Sequence, residues 1–285
     1  MKNIEKMLDN SGLSYTKTNL KNSEGCLYYS KETVEDSDLK NLYNEACKEI
    51  NKKVEKNIYR YYYYEKLEPN NPLHATVVMM NPAFADSKEA DDTIKNIRKY
   101  LKNEKDGILK CLPNIHNNFG SFDIINLYPI RMPKSAKLVK FLKSTKSETE
   151  KYQKFVKNYL KGNSKNHIVI AAWGSDKKDN ELAQHLFKDL NIKFYCYGVT
   201  KDGYPKHFSS LAYNKFDKFR CPVPYIKITN WLKNCQLSEY DKERLMDVKN
   251  LKQWLTDSPS VSQDFVIYMF NLLEDVFVEV KKFYI

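Results

Sequence analysis

The sequence is poor in glycine and contains none of the glycine-rich motifs that bind nucleotides. It has eight glycines in 285 residues, and neither a Gly-x-Gly-x-x-Gly nor a Gly-x-x-x-x-Gly-Lys pattern occurs. A dinucleotide-dependent enzyme and a Walker-type NTPase are therefore disfavoured, because both hold phosphates with such a loop. A Gly-x-Ser-x-Gly elbow is also absent, which disfavours a serine hydrolase.

The six cysteines do not form a metal-binding pattern. No Cys-x-x-Cys pair occurs, and no histidine stands at ligand spacing from a cysteine, so we expect no zinc or iron–sulfur site and no cofactor. Scattered thiols are typical of a cytoplasmic protein. The first residues do not resemble a signal peptide, and no apolar run has membrane-spanning length. We therefore expect a cytoplasmic protein without a membrane partner.

The charge is strongly unbalanced, with a net charge of +11 and a pI of about 9.1. A basic chain of this kind favours an anionic partner, most often nucleic acid. The alternative is a lysine-rich composition that only solvates the surface. Lys134, Lys137 and Lys140 are spaced three apart on a predicted helix, so they form either a phosphate-contacting face or a solvated one.

Four apolar segments that alternate with helical ones predict an α/β fold. The segments cover residues 75–80, 121–127, 167–172 and 192–197. This alternation indicates a three-layer α/β/α core over residues 57–220 with a four-stranded, mainly parallel sheet. Helical extensions are predicted over residues 1–56 and 221–285. The run from Tyr59 to Tyr64 predicts an edge strand packed on the core, or alternatively a surface on which bases stack.

Polar and aromatic residues follow each predicted strand. Because the carboxyl ends of parallel strands meet at one edge of a sheet, we expect these residues to form one site. Amides at such a site can read a planar polar ring, aromatic rings can stack on it, and basic groups can bind an anion. The residues are Asn81, Phe84 and Asp86; Asn126 and Tyr128; Trp173, Gly174 and Ser175; and Tyr204, Lys206 and His207.

Several short motifs in this region resemble those of a family of uncharacterised bacterial and phage proteins. They are Asn81-Pro82-Ala-x-Ala-Asp86, Asp91-Asp92-Thr93-Ile94, Ile125-Asn126-Leu127, Ala-Ala-Trp173-Gly174 and Thr200-Lys201-Asp202-Gly203-x-Pro205-Lys206-His207. The likeness covers roughly residues 57–212 and keeps the order of the motifs. Position 83 is alanine where that family has serine, and position 208 is phenylalanine where it has proline.

That family in turn resembles, more distantly, the uracil-DNA glycosylase superfamily. The resemblance implies that Asn81 positions the water that attacks the sugar, that Asn126 pairs with the edge of the base, and that Trp173-Gly174 precedes a helix. In that superfamily a histidine in the last motif stabilises the departing base. This sequence has Tyr204 at that position, and His207, three residues later, is the available replacement.

The resemblance and the basic charge together predict a DNA glycosylase that excises a flipped, modified or damaged base from single- or double-stranded DNA. Excision of modified phage bases would serve antiviral defence. The alternative is a non-catalytic nucleic-acid or nucleotide-binding module with the same pocket; an enzyme acting on a free nucleotide is a third. The expected catalytic residues are Asn81, Asp86 and His207; those that bind the base are Phe84, Asn126, Tyr128, Trp173 and Tyr204; those that contact the DNA backbone are Ser175, Lys201, Lys206, Lys134 and Lys137.

Overall fold

The computed structural model of the chain describes residues 3–31, 37–49, 58–82, 90–102, 119–132, 141–142, 145–161, 167–190, 192, 194–196, 204–209 and 223–224. Helices and strands alternate along these segments. In chain order they are α1 (Ile4–Asn10), β1 (Tyr15–Asn19), β2 (Gly25–Ser30), α2 (Ser37–Glu49), β3 (Arg60–Lys66), β4 (His74–Met79), α3 (Asp92–Lys102), β5 (Ser121–Asn126), α4 (Lys146–Lys161), β6 (His167–Ala172), α5 (Lys177–Phe187), β7 (Phe194–Cys196) and β8 (Val223–Pro224).

All the described strands belong to one mixed sheet in the order β1-β2-β3-β5-β4-β6-β7-β8. The predicted α/β class is confirmed, but the predicted four-stranded, mainly parallel sheet is wrong. The sheet has eight strands, and four of its pairings are antiparallel. Parallel pairings join β5 to β4, β4 to β6 and β6 to β7. The prediction missed the antiparallel strands on both sides of this parallel group.

The N-terminal segment is not the helical extension that was predicted. β1 and β2 pair antiparallel and extend the sheet beyond β3. Their residues, rich in tyrosine and threonine, favour strands, whereas the helical spacing of apolar residues is confined to α1 and α2. Gly25 lets β2 approach β3 closely, since a Cβ atom there would lie 2.2 Å from the carbonyl oxygen of Tyr64. Residues 1–56 are therefore part of the same fold wherever the structure describes them.

The tyrosine run forms an interior strand rather than an edge strand. β3 lies between β2 and β5, and Tyr61, Tyr62 and Tyr63 are at most 3% exposed. Neither sequence interpretation holds, because buried rings cannot stack on a base. The β2–β3 register shifts so that Tyr28 is opposite Tyr62 and Tyr29 is opposite Arg60. The extra residue at Tyr61 is a β-bulge, and it changes the side to which the start of β3 points.

Helices cover both faces of the sheet. Side chains from α1, α2, α4 and α5 pack in one hydrophobic core with Val78 and Ile125. On the other face, Ile94 and Ile97 of α3 pack with Val77 and Ile124. Adjacent strand residues thus alternate between the two cores. Among the described residues, no helix combines the length and the apolar character that crossing a bilayer would require.

Candidate functional site

The carboxyl ends of β4, β5 and β6 lie side by side at one edge of the sheet. In the parallel register, Met79 is opposite both Asn126 and Ala172. Asn81 follows β4 by two residues, Asn126 ends β5, and Trp173 and Gly174 come directly after β6. Three of the predicted strand-end groups therefore meet at one edge, where open α/β sheets bind their ligands.

The side chain of Asn81 is buried and connects two of these strand ends. Its Nδ2 group donates hydrogen bonds to the carbonyl oxygens of Met132, at 2.7 Å, and Ile130, at 3.3 Å. These bonds fix the segment that follows β5 against the end of β4. They also fix the orientation of the Asn81 amide, so that its Oδ1 atom has a defined direction.

Asn126 is fully buried, and among the described residues its side-chain amide makes no hydrogen bond of good geometry, although the Tyr152 hydroxyl lies near it. Neither Oδ1 nor Nδ2 is paired in the part of the chain that the structure describes, whereas the backbone N–H donates to the Tyr152 hydroxyl at 2.9 Å. Because Ile124 faces the α3 side of the sheet and Ile125 the other, Asn126 faces α3. An unpaired buried amide is costly, so it marks a place where a ligand can supply the missing bonds.

His207 lies in the 204–209 segment, which is tied to α3. Asn96 of α3 donates to the carbonyl oxygen of Phe208 at 3.0 Å. His207 Nδ1 accepts a hydrogen bond from the backbone N–H of Ser209 at 3.0 Å. Burial lowers the pKa of His207 to about 4, and the nearby Asp91 only partly opposes this shift. The ring is therefore neutral at pH 7, and the bond at Nδ1 assigns its proton to Nε2.

Two buried arginines add positive charge, and neither was predicted as a site residue. Arg60 and Arg131 are each 1% exposed, and their guanidinium groups lie over the rings of Tyr63 and Tyr29. Burial lowers the pKa of Arg60; Tyr29 and Asp91 oppose this shift, whereas Arg131 adds to it. The bulge at Tyr61 turns Arg60 toward the α3 face. The sequence did contain a signal for Arg60, because an arginine inside an otherwise aromatic and buried run is unusual.

Asp91 is another residue that the predicted site omitted. Its Oδ1 atom accepts from the backbone N–H of Ile94 at 3.0 Å, so it caps α3, which begins at Asp92. The same carboxylate acts on both Arg60 and His207. Asp91 is part of the Asp-Asp-Thr-Ile motif, but nothing in the sequence indicated that Arg60 and His207 would lie near it.

Trp173 belongs to the core and is not available to stack on a base. Its ring packs against Phe187 and Phe194, and its Nε1 donates to Asn180 Oδ1 at 2.7 Å. Asn180 in turn donates to the carbonyl oxygen of Gly174 at 3.1 Å. Gly174 has a φ of +96°, a conformation that only glycine adopts readily. The predicted base-binding role of Trp173 is therefore wrong, because its ring builds the turn beneath the site.

Tyr128 lies at the same edge, half-buried, beside the first turn of α5. Its hydroxyl hydrogen-bonds with Asp179, and burial together with Asp176 raises the pKa of Asp179 to about 6. Asp179 was not predicted. Tyr128 is thus held by a polar contact that fixes its ring.

The remaining predicted residues divide into three groups. Ser175 is exposed and Tyr204 is half-buried, as their expected contacts with DNA require. Lys206 is only 7% exposed, so little of its side chain is open to the DNA backbone that it is predicted to contact. The others fall outside the described residues: Phe84, Asp86, Lys134, Lys137 and Lys201.

These features define an α/β protein with a polar, positively charged site at the carboxyl edge of its parallel strands. The chain belongs to the family described as protein of unknown function (DUF1643), whose model matches residues 60–207. Membership of an uncharacterised family was predicted and is confirmed. The match begins at Arg60 and ends at His207, so it contains every site residue described above. No curated protein and no solved structure matches the chain.

Proposed function

We propose that the chain hydrolyses N-glycosidic bonds in DNA and so releases a base that has been flipped out of the helix. The observation that carries this proposal is the arrangement of three residues. Asn81 and Asn126 follow or end neighbouring parallel strands, and His207 lies beside the turn after β6, where a Cβ atom on Gly174 would be 3.8 Å from the Cβ of His207. They occur in the same order as the motifs of the uracil-DNA glycosylase superfamily that the sequence resembles. The net charge of +11 favours an anionic polymer as the partner.

His207 can stabilise the base as it leaves. Cleavage of an N-glycosidic bond leaves an oxocarbenium-like sugar and an anionic base, so a hydrogen-bond donor at the base lowers the barrier. The neutral ring, with its proton assigned to Nε2, is such a donor. A donor of this kind contributes about 10²–10³ in rate in other enzymes.

Asn126 suits recognition of the base. A base edge offers donors and acceptors side by side, and the Asn126 amide offers one acceptor and two donors. Because both polar atoms of this amide are buried and form no hydrogen bond within the described segments, a bound base would satisfy them. A base that lacked the matching groups would leave them unpaired, and this is the physical basis of selectivity at such a site.

Asn81 suits the positioning of water. Its Nδ2 group is held by two carbonyl oxygens, which leaves Oδ1 as the acceptor for a proton of the attacking water. An amide orients water but does not take up its proton. Asp86 is the carboxylate that the sequence offers for that step.

The test is incubation of the full chain with duplex and single-stranded DNA carrying uracil, mismatches or bulky modified pyrimidines, and with phage genomic DNA. Abasic sites are scored by strand cleavage in alkali. We expect release of at least one base, with a loss of at least about 10²-fold in Asn81→Ala. Asn158→Ala, on the exposed side of α4, is the matched control and should behave like the wild type. The proposal fails if no substrate yields abasic sites and Asn81→Ala binds every DNA as the wild type does.

A non-catalytic binding module is the second candidate. It is favoured by Tyr204 at the position of the superfamily histidine and by the structural hydrogen bonds of the Asn81 amide. Such a module would bind DNA or nucleotides with a steep salt dependence and release no base. Asn126→Leu would then weaken binding, and no abasic sites would accumulate at any enzyme concentration.

A further inference from the structure

A second polar cluster lies at the opposite edge of the sheet, at the amino ends of the same strands. It consists of His74 on β4, Asp123 on β5 and His167 on β6, whose ligand atoms all lie within 4.8 Å of one another. His74 and His167 are register partners, and Asp123 is the partner of Thr76. The positions of the three side chains are therefore set by parallel strand pairing.

We propose that His74, Asp123 and His167 bind a divalent transition-metal ion of the Zn²⁺ class. Two imidazoles and one carboxylate form a donor set that such ions prefer over Mg²⁺ or Ca²⁺, which take oxygen ligands. Three protein ligands leave a fourth position for water. The cysteine pattern had suggested no metal, but cysteines play no part in this cluster.

The two oxygens of Asp123 have different environments, and the difference favours a cation beside one of them. Oδ2 accepts hydrogen bonds from the Tyr62 hydroxyl at 2.9 Å and from the Tyr159 hydroxyl, and it lies 2.7 Å from His74 Nε2, the nitrogen that would bind the ion. Oδ1 is buried and has no partner in the described structure. An unpaired buried carboxylate oxygen is costly, and a metal ion bound there would satisfy it. The Thr76 side chain also acts on this carboxylate, but among the described residues no hydrogen bond of good geometry reaches Oδ1.

The surroundings already supply the outer partners that metal ligands have in proteins. His74 Nδ1 lies 2.7 Å from Ser121 Oγ, and His167 Nε2 contacts Thr76 Oγ1. Both hydroxyls restrain the orientation of the rings. The side chain of His74 is 21% exposed whereas that of Asp123 is 0% exposed, so an ion can enter from solvent past His74 and reach the buried carboxylate.

The cluster is separate from the proposed base site. β4 runs from His74 to Met79, which at about 3.3 Å per residue places the two ends roughly 16 Å apart. A metal ion here would join the amino ends of three neighbouring strands and so stabilise the fold. This inference therefore does not depend on the proposed glycosylase activity.

The test is titration of the full chain with Co²⁺ after treatment with EDTA, followed by competition with Zn²⁺. We expect one Co²⁺ per chain with visible absorption bands of a nitrogen- and oxygen-ligated ion, loss of the bands on addition of Zn²⁺, and a rise in Tm of about 5–10 °C at roughly 100-fold excess over Kd. His74→Gln and His167→Gln should lose the absorption bands. His185→Gln, on the exposed side of α5, should retain them.

The wild-type titration decides the matter even if a variant does not fold, because it needs no substitution. Absence of stoichiometric Co²⁺ binding to the wild type would overturn the proposal. Unchanged absorption bands in folded His74→Gln and His167→Gln would overturn it as well, because the ion would then be bound elsewhere.

Discussion

Replacing Asn126 with leucine should make the protein more stable and less active. Asn126 is 0% exposed, and neither polar atom of its side chain makes a hydrogen bond of good geometry with any residue that the structure describes. Leucine has nearly the same shape and no polar atoms. It therefore removes the unsatisfied groups without opening a cavity, whereas most core substitutions destabilise a protein.

The size of the effect follows from the cost of burying unpaired groups. Each such group costs about 1–3 kcal/mol, and replacement by an apolar group of similar shape recovers part of this cost. We expect the free energy of unfolding to rise by about 1–2 kcal/mol, and Tm by roughly 2–8 °C. Base release or base binding should fall by at least about 10²-fold, since the recognition of the base edge is lost.

The assay is urea unfolding of the wild type and Asn126→Leu at pH 7, with base release measured on the same preparations. Asn180→Leu is the matched control, because Asn180 is also buried but bonds with Trp173, Gly174 and Asp176. It should lower the free energy of unfolding by about 2–4 kcal/mol, since it leaves partners unsatisfied. A loss of stability in Asn126→Leu as large as that in Asn180→Leu would refute the reasoning.

Three further predictions concern pH and backbone strain. The pKa of His207 is lowered from 6.5 to about 4, so the wild type should lose stability as pH falls from 6.5 to 4. This loss in the free energy of unfolding is at most about 3 kcal/mol. Urea unfolding of His207→Gln should not show it. Because the pKa of Asp179 is raised from 3.8 to about 6, its contribution should fall as pH rises through that range; Asp179→Asn should therefore raise Tm at pH 7 but not at pH 3. Gly174→Ala should cost about 1–2 kcal/mol in urea unfolding through its φ of +96°, and an unchanged stability would mean that the turn relaxes.

The elements predicted with success were those with strong local patterns. The strands ending at Met79, Asn126 and Ala172 are short and mostly apolar, and each is bounded by polar or turn residues. α3 and α5 show the periodicity of helices with one buried face. The helical interpretation of the N-terminal segment was wrong because β1 and β2 are short, and their strand identity depends on pairing: β1 pairs with β2, and β2 pairs with β3.

Part of the site could also be predicted from local sequence patterns. Asn81, Asn126 and His207 follow recognisable strands or lie in a recognisable motif, so their place at one edge could be predicted. Arg60 could not, because its direction depends on the bulge at Tyr61. The cluster of His74, Asp123 and His167 was missed because these residues lie on three different strands, and only the register brings them together.

The bulge at Tyr61 makes the length of the tyrosine run as important as its composition. Side chains alternate between the two layers along a strand, so deletion of one tyrosine would restore regular pairing and rotate everything before it by half a turn. Arg60 would then point into the hydrophobic core formed with α1 and α4, where burying its charge would be unfavourable. Replacing a tyrosine with phenylalanine removes one hydroxyl group and leaves the register unchanged. Deleting one residue would instead move Arg60 from the site to the opposite face of the sheet.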